Sequence, residues 1–184
     1  MPECLDAVRQ ILAAARFAAE KHAMQRRKGP SAEPYVNHLL EVAELLARTA
    51  ADLDTNLIVA ALLHDTIEDV GVNREEIAAR FGEDVASLVA EVTDDKSLPK
   101  EVRKALQIEN APQKSLRAQT LSAADKTSNV RSIVESPPAN WSAERRAAYV
   151  RWACEVVTQY RNLDRRLAAE FEHACGAFDA RQNR

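Results

Sequence analysis

The sequence predicts an all-α fold, and three observations carry that prediction. Only four of the 184 residues are glycine and 46% are hydrophobic, a composition suited to long helices and poor in the turn chemistry of a sheet protein. Apolar residues recur at three- and four-residue steps along most of the chain, the period of helices that bury one face. Residues 57–63 form an unbroken apolar run that ends directly in His64, Asp65, Glu68 and Asp69, so the rest of the chain is organised around residues 57–71.

The length suits one domain, 1–184, with its core over about residues 5–175. Leu5, Val8, Ile11, Leu12, Ala15 and Ala19 mark a first helix that ends near His22 and shows Arg9, Gln10 and Arg16 to water. The loop over residues 24–34 contains a glycine and two prolines and carries Arg26, Arg27 and Lys28. Adjacent cations in a loop usually form a solvated surface. Lying about ten residues before His38, these are equally a candidate anion site.

Pro34 suits the first turn of a second helix, whose broad apolar face is Val36, Leu39, Leu40, Val42, Ala43, Leu45 and Leu46. His38 falls in that first turn. Alone, such a histidine is more often a core or capping residue than a ligand. Residues 52–56 supply several N-cap candidates for the organising helix, and Gly71 its stop. On one continuous helix, His64 and Glu68 would sit about 40° apart, with Asp65 and Asp69 repeating the pair one residue on. Burying that much charge without a partner costs several kcal/mol per ion, so a cation is expected there. A His–Asp pair at a helix end is, by itself, more often a structural hydrogen bond, and further ligands must come from elsewhere.

Asn73 caps a short helix that ends at Phe81 and Gly82, and a helix over residues 83–92 follows. A charged loop leads to a helix over about 101–109, broken at Pro112. Residues 114–135 read as a core helix lined by Leu116, Leu121, Ala124, Val130, Ile133 and Val134, with Leu121, Asp125 and Asn129 on one face. Ser142 caps one last long helix to about Cys175, lined by Val150, Ala153, Cys154, Val157, Tyr160, Leu163 and Leu167. Arg145, Tyr149 and Trp152 share another side of it, and Arg161, Arg165 and Arg166 its solvated face. The final Gln-Asn-Arg is expected to fray.

The net charge of −3 provides no global basic field for holding nucleic acid, so an anionic ligand must be captured locally. Three cysteines, Cys4, Cys154 and Cys175, are odd in number and lack paired spacing, which argues against a disulfide framework and a thiolate zinc site. A reducing cytoplasm is the expected location. No apolar run approaches the roughly 18 residues of a membrane span, and the acidic, arginine-interrupted start is an amphipathic helix rather than a signal peptide. The expected partner is a small molecule, with neither nucleic acid nor membrane. Oligomeric state is left open.

His38, the pair His64–Asp65 and the distant Asp125 form the order H…HD…D, two imidazoles and two carboxylates suited to a divalent cation. That order resembles the HD-domain metal-dependent phosphohydrolases. Arg-Arg-Lys at 26–28, Pro-Tyr-Val-Asn-His at 34–38, His-Asp-Thr-Ile-Glu-Asp at 64–69, Glu-Val-Thr-Asp-Asp-Lys at 91–96 and Ala-Asp-Lys-Thr-Ser-Asn at 124–129 are, more narrowly, similar to the hydrolase half of RelA/SpoT homologues. The match runs from about residue 10 to 170. Proteins with this half alone are the small alarmone hydrolases, akin to the metazoan SpoT homologue.

The resemblance implies an all-α HD fold, Mn²⁺ as the usual metal, and removal of the 3′-diphosphate of (p)ppGpp to give GDP or GTP and pyrophosphate. It implies His38, His64, Asp65 and Asp125 as metal ligands and Glu68 and Asp69 as the acids that act on the attacking water. It also implies Arg27, Lys28 and Lys100 as phosphate- or base-holding residues, with Asn129, Arg145 and Tyr149 lining the nucleotide pocket. The chain departs from the family pattern at residues 125–132, where Thr127 and Ser132 replace a leucine and an acid, which opens base preference to ppApp. A nucleotidase, an NADPH 2′-phosphatase and a non-catalytic alarmone-binding protein are alternatives. Intact Glu68 and Asp69 argue against the last.

Overall fold

The computed structural model describes residues 2–50, 52 and 54–182. Its helices are α1 (Pro2–Lys21), α2 (Val36–Thr49), α3 (Thr55–Leu63), α4 (Thr66–Val70), α5 (Arg74–Phe81), α6 (Glu83–Val92), α7 (Lys100–Asn110), α8 (Leu116–Glu135), α9 (Ala143–Thr158) and α10 (Arg165–Gln182). A 3₁₀ turn, Ala111–Gln113, joins α7 to α8. Among the described residues there is no strand, only an isolated bridge between Arg26 and Pro34 that closes the basic loop. The fold is all-α, as the composition and periodicity predict. Asn183 and Arg184, of the tail expected to fray, lie outside the described residues.

Helix α3 is the centre of the core, because Leu57 to Leu63 are all buried and no face remains for water. Its N-terminus is set by Asp54, whose carboxylate accepts from the Leu57 N–H at 3.0 Å. Helices α1, α2, α6 and the first half of α8 close around it, contributing Phe17, Leu39, Leu46, Val89 and Leu121. The second half of α8 enters another apolar cluster with α9 and α10, built on Val130, Ile133, Val150 and Phe171. Thus α8 spans both clusters, and Arg117 at its start donates to Asp54 at 3.0 Å and to Asp84 at 2.8 Å, tying it to the α3 cap and α6.

Three expectations need correction. The organising stretch is two helices, α3 and α4, broken at His64 and Asp65. The last long helix is also two, because Asn162 adopts left-handed backbone (φ 58°) and Asp164 accepts from the Arg166 N–H at 2.7 Å, starting α10. Tyr160 and Leu163 therefore lie in a connection. The α1 face is rotated: Ala14, Phe17 and Ala18 are buried, whereas Leu5, Val8 and Leu12 are exposed, Leu12 by 64%. Leu40 and Leu116 likewise face outward. All three cysteines are free thiols, and the Cys154 and Cys175 sulfurs lie 3.5 Å apart between α9 and α10.

Candidate active site

The break between α3 and α4 places the His-Asp pair. His64 keeps helical backbone, but Asp65 moves to φ −97°, ψ 0°, and α4 then resumes with the Asp69 N–H donating to the Asp65 carbonyl at 2.8 Å. The freed carbonyls are used locally. Thr66 Oγ1 donates to Leu63 O at 2.6 Å, and His64 Nδ1 donates to Ala61 O at 2.7 Å. Asp65 occupies the N-cap position of α4 without capping it, which leaves its carboxylate for other partners.

His38, from the first turn of α2, and Asp125, from the middle of α8, meet the His-Asp pair. His38 Nε2 lies 3.1 Å from Asp125 Oδ1 and 3.7 Å from Asp65 Oδ2, while His64 Nε2 lies 3.1 Å from Asp65 Oδ2 and 3.6 Å from Asp125 Oδ1. His38, His64 and Asp65 each bring a donor atom within 4.8 Å of the others.

The tautomers follow from the partners. Ala61 O only accepts, so His64 Nδ1 carries the proton. Ser128 Oγ gives its hydrogen to Glu41 Oε2 at 2.7 Å and must therefore accept from His38 Nδ1 at 2.8 Å. In the neutral rings both Nε2 atoms are then lone-pair donors, buried, with no hydrogen-bond partner. Two orphaned imidazole nitrogens converging on two carboxylates fit a divalent cation, with Ser128 and the Ala61 carbonyl fixing ring orientation from behind. Electrostatics makes the same demand for positive charge. Burial lowers the His38 pKa. For His64, burial acts in the same direction but is outweighed by Asp65 and Asp125, which hold the ring well above its ordinary value. Burial opposes the ionised Asp125, yet Lys126 and both imidazoles keep it well below the usual carboxylate range.

Glu68 and Asp69 stand on α4 beside this group. Glu68 accepts from the Asp94 N–H at 3.3 Å, and its pKa is raised, by burial first and then by the charges of Asp94 and Asp65. Asp69 accepts from Gln25 Nε2 at 2.8 Å and from Lys96 Nζ at 2.6 Å, and Lys96 also lies 3.8 Å from Glu68.

A cavity of about 410 Å³ opens beside them, lined by Arg27, Lys28, Asp69, Asn129, Trp141 and Tyr149, with Ser132 and Ile133 among its other walls. Asn129 donates to Asp125 at 2.6 Å and accepts from Arg27 at 3.3 Å, so it joins the acid group to the basic loop. Lys100 and Arg145 are not among the lining residues. They reach the cavity through Trp141, lying 6.0 and 4.5 Å from its ring.

Reasoning from sequence passed over Tyr35, whose hydroxyl donates to Asp65 at 2.6 Å, as well as Ser128, Lys96 and Trp141. Tyr35 precedes His38 by one helical turn, a spacing that could have marked it. Ser128 and Trp141 had no local signal.

Residues 14–156 match the HD domain family. The chain belongs to that family. It is 48% identical over 163 residues to the guanosine-3′,5′-bis(diphosphate) 3′-pyrophosphohydrolase MESH1 of Xenopus tropicalis, covering 89% of this chain and 91% of that one. To the protein of the same name from Homo sapiens it is 44% identical over 164 residues, 89% and 92% of the two chains. A solved structure described as "A metazoan ortholog of SpoT hydrolyzes ppGpp and plays a role in starvation responses" overlays with a TM-score of 0.87 at 42% identity, covering 94% and 95%. The resemblance to small alarmone hydrolases therefore extends over nearly the whole HD fold.

Proposed function

We propose that this chain is a metal-dependent guanosine-3′,5′-bis(diphosphate) 3′-pyrophosphohydrolase that converts (p)ppGpp to GDP or GTP and pyrophosphate. The observation that carries the reading is the pair of buried, unpartnered imidazole nitrogens facing Asp65 and Asp125, next to a cavity with cations and aromatic rings. Relatives bearing that activity in their names match over about nine-tenths of both chains, which supports it.

His38, His64, Asp65 and Asp125 would hold the divalent ion, manganese by the family resemblance. When bound, such an ion lowers the pKa of water and neutralises charge on a phosphoryl oxygen. Glu68 and Asp69, beside the ligand group, are the acids that take a proton from water or orient it, and Glu68's raised pKa brings its proton affinity closer to neutrality. Arg27 and Lys28 hold phosphate charge, Asn129 positions Arg27 against the acid group, and Trp141 and Tyr149 offer flat faces to the base. Lys100 and Arg145 add positive charge behind Trp141.

Among the described residues no helix is long and apolar enough to cross a membrane. A cytoplasmic site of action, where nucleotides are abundant, goes with the reading. Ser132 lines the cavity where the family pattern has an acid, so an adenine alarmone belongs in the test. Initial rates with ppGpp, pppGpp, ppApp and NADPH in the presence of Mn²⁺ decide it. Turnover of a 3′-diphosphate substrate supports the proposal, and turnover of NADPH alone contradicts it.

A further inference from the structure

The large cavity leaves unexplained a second, smaller one of about 60 Å³ that touches the same acid group. Its lining includes His64, Asp65, Glu68 and Asp125 together with Lys114, Lys126, Gln107 and Ser122. The two cavities share no lining residue. Two short hydrogen bonds form the partition between them, Tyr35 to Asp65 and Asn129 to Asp125, each 2.6 Å.

The small cavity carries uncommitted donors beside its three carboxylates. Lys114 Nζ donates only to the backbone carbonyl of Glu91, at 2.6 Å, and pairs with no carboxylate among the described residues. Lys126 is 5% exposed, and its carboxylate partner is Asp125, at 3.2 Å, whose charge is already shared with both imidazoles. Ser122 Oγ accepts from Tyr160 at 2.6 Å, which leaves its own hydroxyl hydrogen to donate, and Gln107 spends one amide hydrogen on Asp94 at 2.7 Å. Burial, and then the charge of Lys126, lower the Lys114 pKa against the opposing charges of Asp94 and Glu91. A water needs about 10–15 Å³ of such space, so the cavity takes the oxygens of a phosphoryl group and is far too small for a nucleoside.

We propose that this small cavity is a phosphoryl subsite that receives the outer phosphate of the substrate's 3′-diphosphate, with Lys114 and Lys126 as its cations and Ser122 and Gln107 as neutral donors. The inference rests on the pyrophosphohydrolase reading and deepens it. With the nucleoside in the large cavity, the inner phosphorus lies at the partition, beside Glu68 and the metal-ligand group, and the outer phosphoryl is one P–O–P bridge further in. Water adds its oxygen to the inner phosphorus, the P–O3′ bond breaks, the 3′-oxygen keeps the electron pair and takes a proton, and pyrophosphate remains in the subsite. The enzyme would thereby distinguish a 3′-diphosphate from a 3′-monophosphate by filling or leaving empty a donor-rich hole.

The test measures binding of inorganic pyrophosphate by calorimetry, the KM for ppGpp, and the inhibition constant of guanosine 5′-diphosphate 3′-monophosphate, which lacks the outer phosphate. Lys114→Gln retains a donor for the Glu91 carbonyl and should weaken pyrophosphate binding and raise KM by about ten- to hundredfold, the loss of one charge-assisted contact. The monophosphate constant should move less than twofold. Lys114→Arg should restore most of the pyrophosphate affinity, and Ser122→Ala should show the same selectivity at about two- to tenfold. Equal weakening of diphosphate and monophosphate, or unchanged pyrophosphate binding in both Lys114→Gln and Ser122→Ala, would overturn the proposal. If the wild type fails to hydrolyse ppGpp, the functional reading falls, while the pyrophosphate comparison still decides the subsite.

Discussion

His38 Nε2 stands 3.1 Å from Asp125 Oδ1, although one residue belongs to α2 and the other to α8. Holding a buried, unprotonated nitrogen against a carboxylate is unfavourable unless a positive charge joins them. Metal should therefore stabilise the fold. At a hundredfold excess over its Kd, Mn²⁺ should raise the melting temperature by about 5–10 °C for a chain of this size. His64→Ala should abolish the rise. Ser128→Ala, which frees the His38 ring from behind, should weaken metal binding by about 10- to 100-fold. A melting temperature indifferent to Mn²⁺ would contradict the assignment.

Glu68 and Asp69 are not among the facing nitrogen and oxygen donors, and the proposed function gives them the water rather than the ion. Glu68→Gln and Asp69→Asn should each lower kcat by about 10²- to 10⁴-fold with metal content near wild type. Metal analysis beside initial rates distinguishes this from ligand loss, in which both would fall together.

The acid limb of the rate profile should report Glu68. Its pKa is raised, so the carboxylate needed as a base appears only above the usual carboxylate range, and activity should fall as pH drops through that raised value. Asp65, Asp94, Lys96 and Arg103 are the charged groups that face it. Asp94→Asn removes one negative charge while preserving the backbone N–H that binds Glu68 and an acceptor for Gln107. The limb should move to lower pH. An unmoved limb would show that another group titrates there.

The H…HD…D order was legible from residue types and their order along the chain, and the caps at Asp54, Asn73 and Ser142 follow local side-chain chemistry. The break at His64 and Asp65 was not legible, since both residues continue a helical pattern and the turn is held by Ala61 O and Thr66 Oγ1. Asn162 did carry a signal, as an Asn two residues before an Asp, but the apolar period ran across it. Ser128 behind His38, Trp141 between Lys100 and Arg145, and Lys114 near Lys126 come together only through packing of distant helices. No spacing rule reports them.

Arg27 and Lys28 line the large cavity, and Arg27 also lies 5.8 Å from the Tyr35 ring centre. If they mainly bind ground-state phosphate, Arg27→Ala and Lys28→Ala should raise KM by about ten- to hundredfold and change kcat less. Steady-state kinetics on ppGpp checks this. An unchanged KM would return the loop to a solvated surface.

In the proposed reaction the bond broken joins the 3′-oxygen to the inner phosphorus, which separates a pyrophosphohydrolase from a general nucleotide phosphatase. Hydrolysis of ppGpp in ¹⁸O-labelled water, followed by mass spectrometry of the first products, tests it most directly. Cleavage at that bond puts label in pyrophosphate and leaves GDP unlabelled. Orthophosphate as the first product, or label in the nucleotide, would contradict it.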